Sequence, residues 1–183
     1  ARCSIPFANQ LAQFNLLDSH DTARFLSLLS GDVALMRTAV TLLFTYIGTP
    51  CIYYGDEVGM EGGKDPDCRR TFPWGKEDKD LQNFYKKVIA VRNNNKNVFA
   101  LGDLDTLTAK DNIYAYQRTA VDGSGKIGVV ALNNGKAQQV TIPVKAADGT
   151  VLKDQISGAK ATVQGGKITI SIGQNQALMM VNA

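Results

Sequence analysis

The pattern of apolar residues changes character once along this 183-residue chain, near the run RNNNKNV at residues 92–98. Of its 14 aromatic residues, 12 precede residue 100, and only Tyr114 and Tyr116 follow it. Before the change, short contiguous apolar runs alternate with stretches at helical spacing. After it, the runs are short and are separated by glycine and asparagine. This contrast predicts an α/β region over residues 1–96 followed by an all-β region over residues 97–183.

In the first region, FNLLDS (14–19) reads as a short buried strand with a polar cluster at its C-terminal end. A short helix follows over Thr22 to Leu29, then a longer one from Val33 to Ile47 behind the cap Asp32. Met36, Val40, Leu43 and Ile47 share one face of that helix. PCIYYGDE (50–57) is apolar enough for a strand in a sheet covered on both faces. A polar loop then leads to a helix over 79–93. Strand, helix, strand, loop, helix is the order of parallel βα units.

In the second region, NIYAYQRT, KIGVVALN, QQVTIPV, TVLKDQI, KITISI and QALMMV read as strands separated by turn residues. Asn134-Gly135 is expected to close a hairpin, because both residues tolerate positive φ. Ile168, Ile170 and Ile172 fall on one face of their strand and Thr169 and Ser171 on the other. Antiparallel strands of this length usually form a small sandwich.

Composition narrows the function classes. The net charge of +3, from 20 basic and 17 acidic side chains, is too small and too evenly mixed to argue for nucleic acid or an anionic membrane. The longest apolar stretch, Val33 to Ile47, contains Arg37 and is too short to span a bilayer. A single histidine rules out a histidine-rich metal centre. Three cysteines cannot all pair internally, which fits a reducing, cytoplasmic compartment, and the opening residues ARCSIPFANQ show no secretory pattern. Nothing implies a bound cofactor or metal.

Three segments carry the chemistry. LLDSHDTAR (16–24) sets Asp18, Ser19, His20 and Asp21 at the end of a strand, the edge where parallel sheets hold ligands. Asp21 also reads as a helix cap and His20 as a structural residue. Ser-His-Asp in direct succession is no protease triad, because neighbours on a strand point to opposite faces. GTPCIYYGDEVGM (48–60) delivers Tyr54, Asp56 and Glu57 to the same edge. DPDCRR (65–70), with Trp74 downstream, interleaves acids, arginines and an indole. Charged groups of that kind bond vicinal hydroxyls while an aromatic face stacks on a sugar ring. A solvated loop with internal ion pairs has the same composition.

Together, NLLDSHDTARF (15–25), GTPCIYYGDEVGM and DPDCRR with Trp74 resemble the α-amylase family of glycoside hydrolases, particularly its neopullulanase, maltogenic amylase and cyclomaltodextrinase branch. The match spans residues 14–74; beyond it, order and length agree better than motifs. The resemblance implies the last two strand-helix units of a (β/α)8 TIM barrel followed by a C-terminal antiparallel β-sandwich, with FNLLDS as barrel strand seven and PCIYYGDE as strand eight. It implies retaining hydrolysis of α-1,4 and in part α-1,6 glucosidic bonds, with a maltodextrin, cyclodextrin or pullulan as substrate.

By the same resemblance, Asp21 is the third essential acid of the family and holds the hydroxyls of the sugar at the cleavage point. His20 bonds the same sugar, and Asp65 and Arg69 shape the next subsite. Tyr54 and Trp74 are candidates for stacking on glucose, with packing as the other role for each. Glu57 and Arg24 are expected to be structural, Arg24 as an internal ion-pair partner. The family's nucleophile and acid/base lie on strands four and five, upstream of these residues. The chain is therefore expected to be an inactive fragment that needs the missing N-terminal part of the barrel, with a homodimer as a further expectation. A non-catalytic carbohydrate-binding or oligomerisation module is the alternative.

Overall fold

The computed structural model describes residues 5–182. Its first half holds α1 (Phe7–Leu11), β1 (Phe14–Asn15), α2 (Phe25–Leu28), α3 (Val33–Thr45), β2 (Thr49–Pro50), α4 (Lys79–Asn94) and α5 (Lys96–Phe99). The second half is β3 (Asp103–Lys110), β4 (Ile113–Thr119), β5 (Ile127–Asn133), β6 (Gln138–Pro143), β7 (Val151–Asp154), β8 (Lys160–Thr162), β9 (Lys167–Ile172) and β10 (Ala177–Asn182). Among the described residues, no helix is long and apolar enough to cross a membrane.

The two long helices follow their caps. Asp32 accepts from the Leu35 N–H and Asp78 from the Leu81 N–H, both at 2.9 Å, satisfying donors that a helix start leaves free. Met36, Val40, Leu43 and Ile47 are all buried, as the spacing predicts. α3 nevertheless stops at Thr45, and Tyr46 turns extended before Gly48.

β1 and β2 pair in parallel, Phe14 opposite Thr49 and Asn15 opposite Pro50. Both are only two residues long, a correction to the runs expected over 14–19 and 50–57. Side chains draw the remainder out of a ladder. Asp18 accepts from the Phe25 N–H at 2.6 Å, and the Tyr54 carbonyl accepts from Arg24 at 2.5 Å. A 3₁₀ turn takes Asp56–Val58. β1 is also not buried, Phe14 being 66% exposed. The expected helix over 22–29 is shortened to α2 for the same reason, since residues 19–24 form a loop.

The β region differs in one connection. Six strands form an antiparallel sheet in the order β3-β4-β5-β10-β7-β8, and β6 and β9 form a separate pair. β5 therefore lies between β4 and β10, and Asn134-Gly135 closes no hairpin. Neither residue has positive φ. The Asn133 side chain holds that crossing instead, donating to the carbonyls of Lys136 and Gly173 at 2.8 and 2.7 Å. Two-residue turns with positive φ occur instead at Asp111-Asn112 (53° and 62°), between β3 and β4, and at Gly165-Gly166 (56° and 69°), before β9.

Every residue of β5 is buried, because both faces of the larger sheet are covered. Val129, Ala131, Leu178 and Met180 pack on Ile142, Ile168, Ile170 and Ile172 of the strand pair. On the other face Tyr116, Val130 and Met179 join Met36, Val40, Leu81 and Val88 of α3 and α4 in one core, which also takes in Val98 and Phe99. The core thus runs across the change of pattern at residues 93–98.

Two arginines stitch that crossing. Arg92 donates to the carbonyls of Phe44, Gly48 and Phe99, each at 2.8 Å. Arg118, fully buried, donates to those of Thr45, Phe99, Gly102 and Asp103 at 2.6–3.2 Å. Replacing Arg118 by methionine keeps the volume and strips those carbonyls of a donor. We expect a loss of roughly 3–5 kcal/mol of unfolding free energy, measured by urea denaturation.

Candidate functional site

The loop after β1 is built by its own short side chains. The Ser19 N–H donates to Thr22 Oγ1 at 3.0 Å and the Asp21 N–H to Ser19 Oγ at 3.2 Å. Arg24, at its end, donates its N–H to the Gly62 carbonyl at 2.9 Å. The loop is pinned at both ends, and His20 and Asp21 stand out from it with side chains 58% and 72% exposed. Asp21 does not cap α2, whose N-cap position is Arg24 with no side-chain cap.

Residues 65–70 form the facing wall. Asp67 accepts from the Gly63 N–H at 2.5 Å and pairs with Arg70, and these contacts hold its carboxyl below the usual aspartate range. Cys68 is buried, and its thiol donates to the His20 carbonyl at 3.3 Å. Arg69 is thereby presented toward the first loop. Its Nε lies 2.5 Å from Asp65 Oδ1 and a terminal nitrogen 3.4 Å from Asp21 Oδ1. His20 Nε2 is 3.3 Å from the same Asp21 oxygen.

The structure therefore brings His20, Asp21, Asp65 and Arg69 into one chain of contacts across 48 residues of sequence. All four are open to solvent, so a ligand can displace water from them without a change of fold. The row offers two carboxylates, a planar five-donor guanidinium and an imidazole, which suits paired hydroxyls. Tyr54 joins it indirectly, through a 2.6 Å bond from its hydroxyl to the Arg70 carbonyl. Trp74 stands apart, 81% exposed, and its ring contact among the described residues is Phe72 at 4.5 Å.

Beneath the row is a buried layer that sequence reasoning caught only in part. Arg24 is an internal partner, as expected: it is fully buried, pairs with Asp56 at 3.2 Å and lies over the rings of Tyr53 and Tyr54 at 4.1 and 4.7 Å. Glu57 accepts from the Gly55 N–H at 2.8 Å, a role inside the turn. The pairing of Asp56 with Asp18 was missed. Burial, then Asp18, push the Asp56 carboxyl up to about 8 against the pull of Arg24. The available signal was an aspartate at the end of each apolar run, LLD and YYGD, with Arg24 between them in sequence. Among the described residues no group of three metal-ligating side chains occurs, and Cys51 and Cys68 are free thiols.

The family profile described as alpha amylase, catalytic domain, matches residues 5–117. Amylopullulanase of Thermoanaerobacter thermohydrosulfuricus is 42% identical over 193 residues, covering 92% of this chain and 13% of that enzyme. Neopullulanase 2 of Thermoactinomyces vulgaris is 37% identical over 187 residues, covering 99% of this chain and 32% of its own length. A solved cyclomaltodextrinase superposes with a TM-score of 0.86 at 38% identity, over 97% of this chain and 30% of that one. The chain thus spans a third or less of the length of these relatives.

The two layers separate in a stability measurement. Arg24→Met removes one partner of a buried ion pair and should cost about 3 kcal/mol in urea unfolding. Arg69→Met, in the exposed row, should leave the unfolding midpoint close to that of the wild type.

Proposed function

We propose, from the premise that the chain belongs to the α-amylase family, that its residues supply one wall of a retaining glycosidase site acting on maltodextrins, cyclodextrins or pullulan. α-1,4 and in part α-1,6 glucosidic bonds are the bonds cleaved. The observation that carries this reading is the convergence of His20, Asp21, Asp65 and Arg69 on one exposed row. In it, Asp21 bonds hydroxyls of the sugar at the cleavage point, and His20 bonds the same sugar. Both bonds gain strength as positive charge develops on the ring. Asp65 and Arg69 hold the next sugar, and the exposed Tyr54 and Trp74 offer aromatic faces for stacking from outside the row.

In this reading residues 1–96 are the end of a (β/α)8 barrel, with β1 and β2 as parts of its seventh and eighth strands. Residues 97–183 are the C-terminal β-sandwich. Retaining hydrolysis needs a nucleophilic carboxylate and an acid/base carboxyl about 5–5.5 Å apart. Asp21 and Asp65 do not form that pair, since Arg69 lies between them and pairs with both. Those two groups come from the remainder of the barrel, the partner this segment requires, and no cofactor enters the reaction. The reading includes a cytoplasmic enzyme and a homodimer.

A free-standing glucan-binding module is the weaker reading. Residues 97–183 hold three aromatic residues; Phe99 and Tyr116 are buried, and Tyr114 packs against Tyr116 with ring centroids 5.3 Å apart. No stacking platform results.

The 183-residue chain alone should release no reducing sugar from maltodextrin or pullulan, and activity should appear when the rest of the barrel is supplied. In that assembly Asp21→Asn should lower kcat by roughly a thousandfold. A full rate would refute the role given to Asp21. Trp74→Ala should leave folding intact and raise KM by up to about tenfold.

A further inference from the structure

Asp18, Arg24 and Asp56 are buried together, no more than 3% exposed, and the proposed reaction uses none of them. Fully ionised, they set two negative charges against one positive charge away from water, and burying that excess is costly. A single proton on the carboxyl pair makes the group neutral. Hydrogen-bond geometry calls for the same proton. Asp18 Oδ2 accepts from the Phe25 N–H, but Asp18 Oδ1 is buried and receives no N–H or hydroxyl donor. The Asp18 and Asp56 carboxyls lie within hydrogen-bonding reach of each other, and Asp56 also accepts from Arg24.

We propose that Asp18 and Asp56 share one proton, and that the resulting neutral Asp18–Asp56–Arg24 group positions the loop carrying His20 and Asp21. The bond from the Phe25 N–H to Asp18 closes residues 18–25 into a loop, with His20 and Asp21 inside it. Arg24 extends the anchorage through its N–H to Gly62 and its guanidinium to the Tyr54 carbonyl. These are positioning residues: their effect on turnover rests on the reading of Asp21 above, whereas the shared proton does not.

The surroundings favour the neutral group. Tyr53 and Tyr54 lie on Arg24, and Cys68 faces Tyr53. Glu57 is held by the Gly55 N–H, and from α4 the Tyr85 hydroxyl is pushed above the usual phenol range by burial, then by Asp56, Asp18 and Glu57. Arg24 is the one cation of this set. Asp56 titrates at about 8 in the folded chain against an ordinary value of 3.8. Folding therefore takes up a proton between those values, so the contribution is greatest at low pH and is lost as pH rises through about 8.

Infrared difference spectroscopy on the 183-residue chain tests the proton. At pH 6.5 the wild type should show a protonated-carboxyl band that disappears through about pH 8. Asp56→Asn and Asp18→Asn should each remove it, and Asp67→Asn should not. No band in the wild type, or a band surviving both of the first two substitutions, would overturn the proposal, and the wild-type titration needs no variant to fold. Positioning is read from the 13C resonances of His20, Asp21 and Phe25. They should shift together through about pH 8 in the wild type. In Asp56→Asn, whose amide keeps a donor for Asp18 and an acceptor for Arg24, they should stay at their pH 6.5 positions up to pH 9. Equal shifts in both proteins would refute positioning. None of these readouts measures glucan hydrolysis, so failure here and failure of the glycosidase reading are separate results.

Discussion

Two guanidinium groups at the C-terminal end of α3 hold the rest of the molecule in register. A helix ends with carbonyls that have no partner within it, and here those of Phe44 and Thr45 belong to buried residues of the core. Arg92 and Arg118 supply the donors and share the Phe99 carbonyl between them. Their positive charge also sits favourably against the negative end of the helix. Because Arg92 comes from α4 and Arg118 from β4, this joint ties three elements distant in sequence. It also sets the Gly48 carbonyl, and hence the start of β2 and of the turn that carries Asp56.

From that joint upward, the charged groups divide by depth. The lowest set, Arg92 and Arg118, bonds backbone carbonyls. The middle set, Asp18, Arg24 and Asp56, is buried and reaches neutrality through one shared proton. The top row, His20, Asp21, Asp65 and Arg69, stands in contact with water. Such an arrangement suits sugar binding. Hydroxyls compete only weakly with water for a flexible charged group, so side chains that meet them must be held in place from below.

Sequence signals were strong where the physics is local. The cap Asp32, and apolar residues at helical spacing in both segments, signalled the two long helices; the cap Asp78 emerged from the structure. Alternation gave the buried face of β9. The lengths of β1 and β2 were not legible, because a parallel strand extends only as far as its neighbours, and here side-chain bonds to Asp18 and Arg24 end it. Edge strand β3 was missed because DLDTLTAK lacks a clear apolar alternation. Asn134-Gly135 had the chemistry of a tight turn, but β5 pairs on both sides with other strands, and pairing is decided at long range. In the site, Asp65 and Arg69 are four residues apart and readable as a pair, whereas Asp21 meets Arg69 only through the fold. The Asp18–Asp56 pair left only a weak signal, because an acid closing an apolar run normally marks no more than the run's end.

Family membership and geometry point the same way: a sugar held by Asp21 and His20, with a second ring at Asp65 and Arg69. The most direct measurement is a crystal structure of this chain assembled with the remainder of its barrel and a bound maltooligosaccharide. The account predicts Asp21 and His20 within about 3 Å of hydroxyls on one glucose ring, and Asp65 and Arg69 bonded to the ring beside it. A sugar chain bound elsewhere, with these four side chains facing solvent, would contradict it.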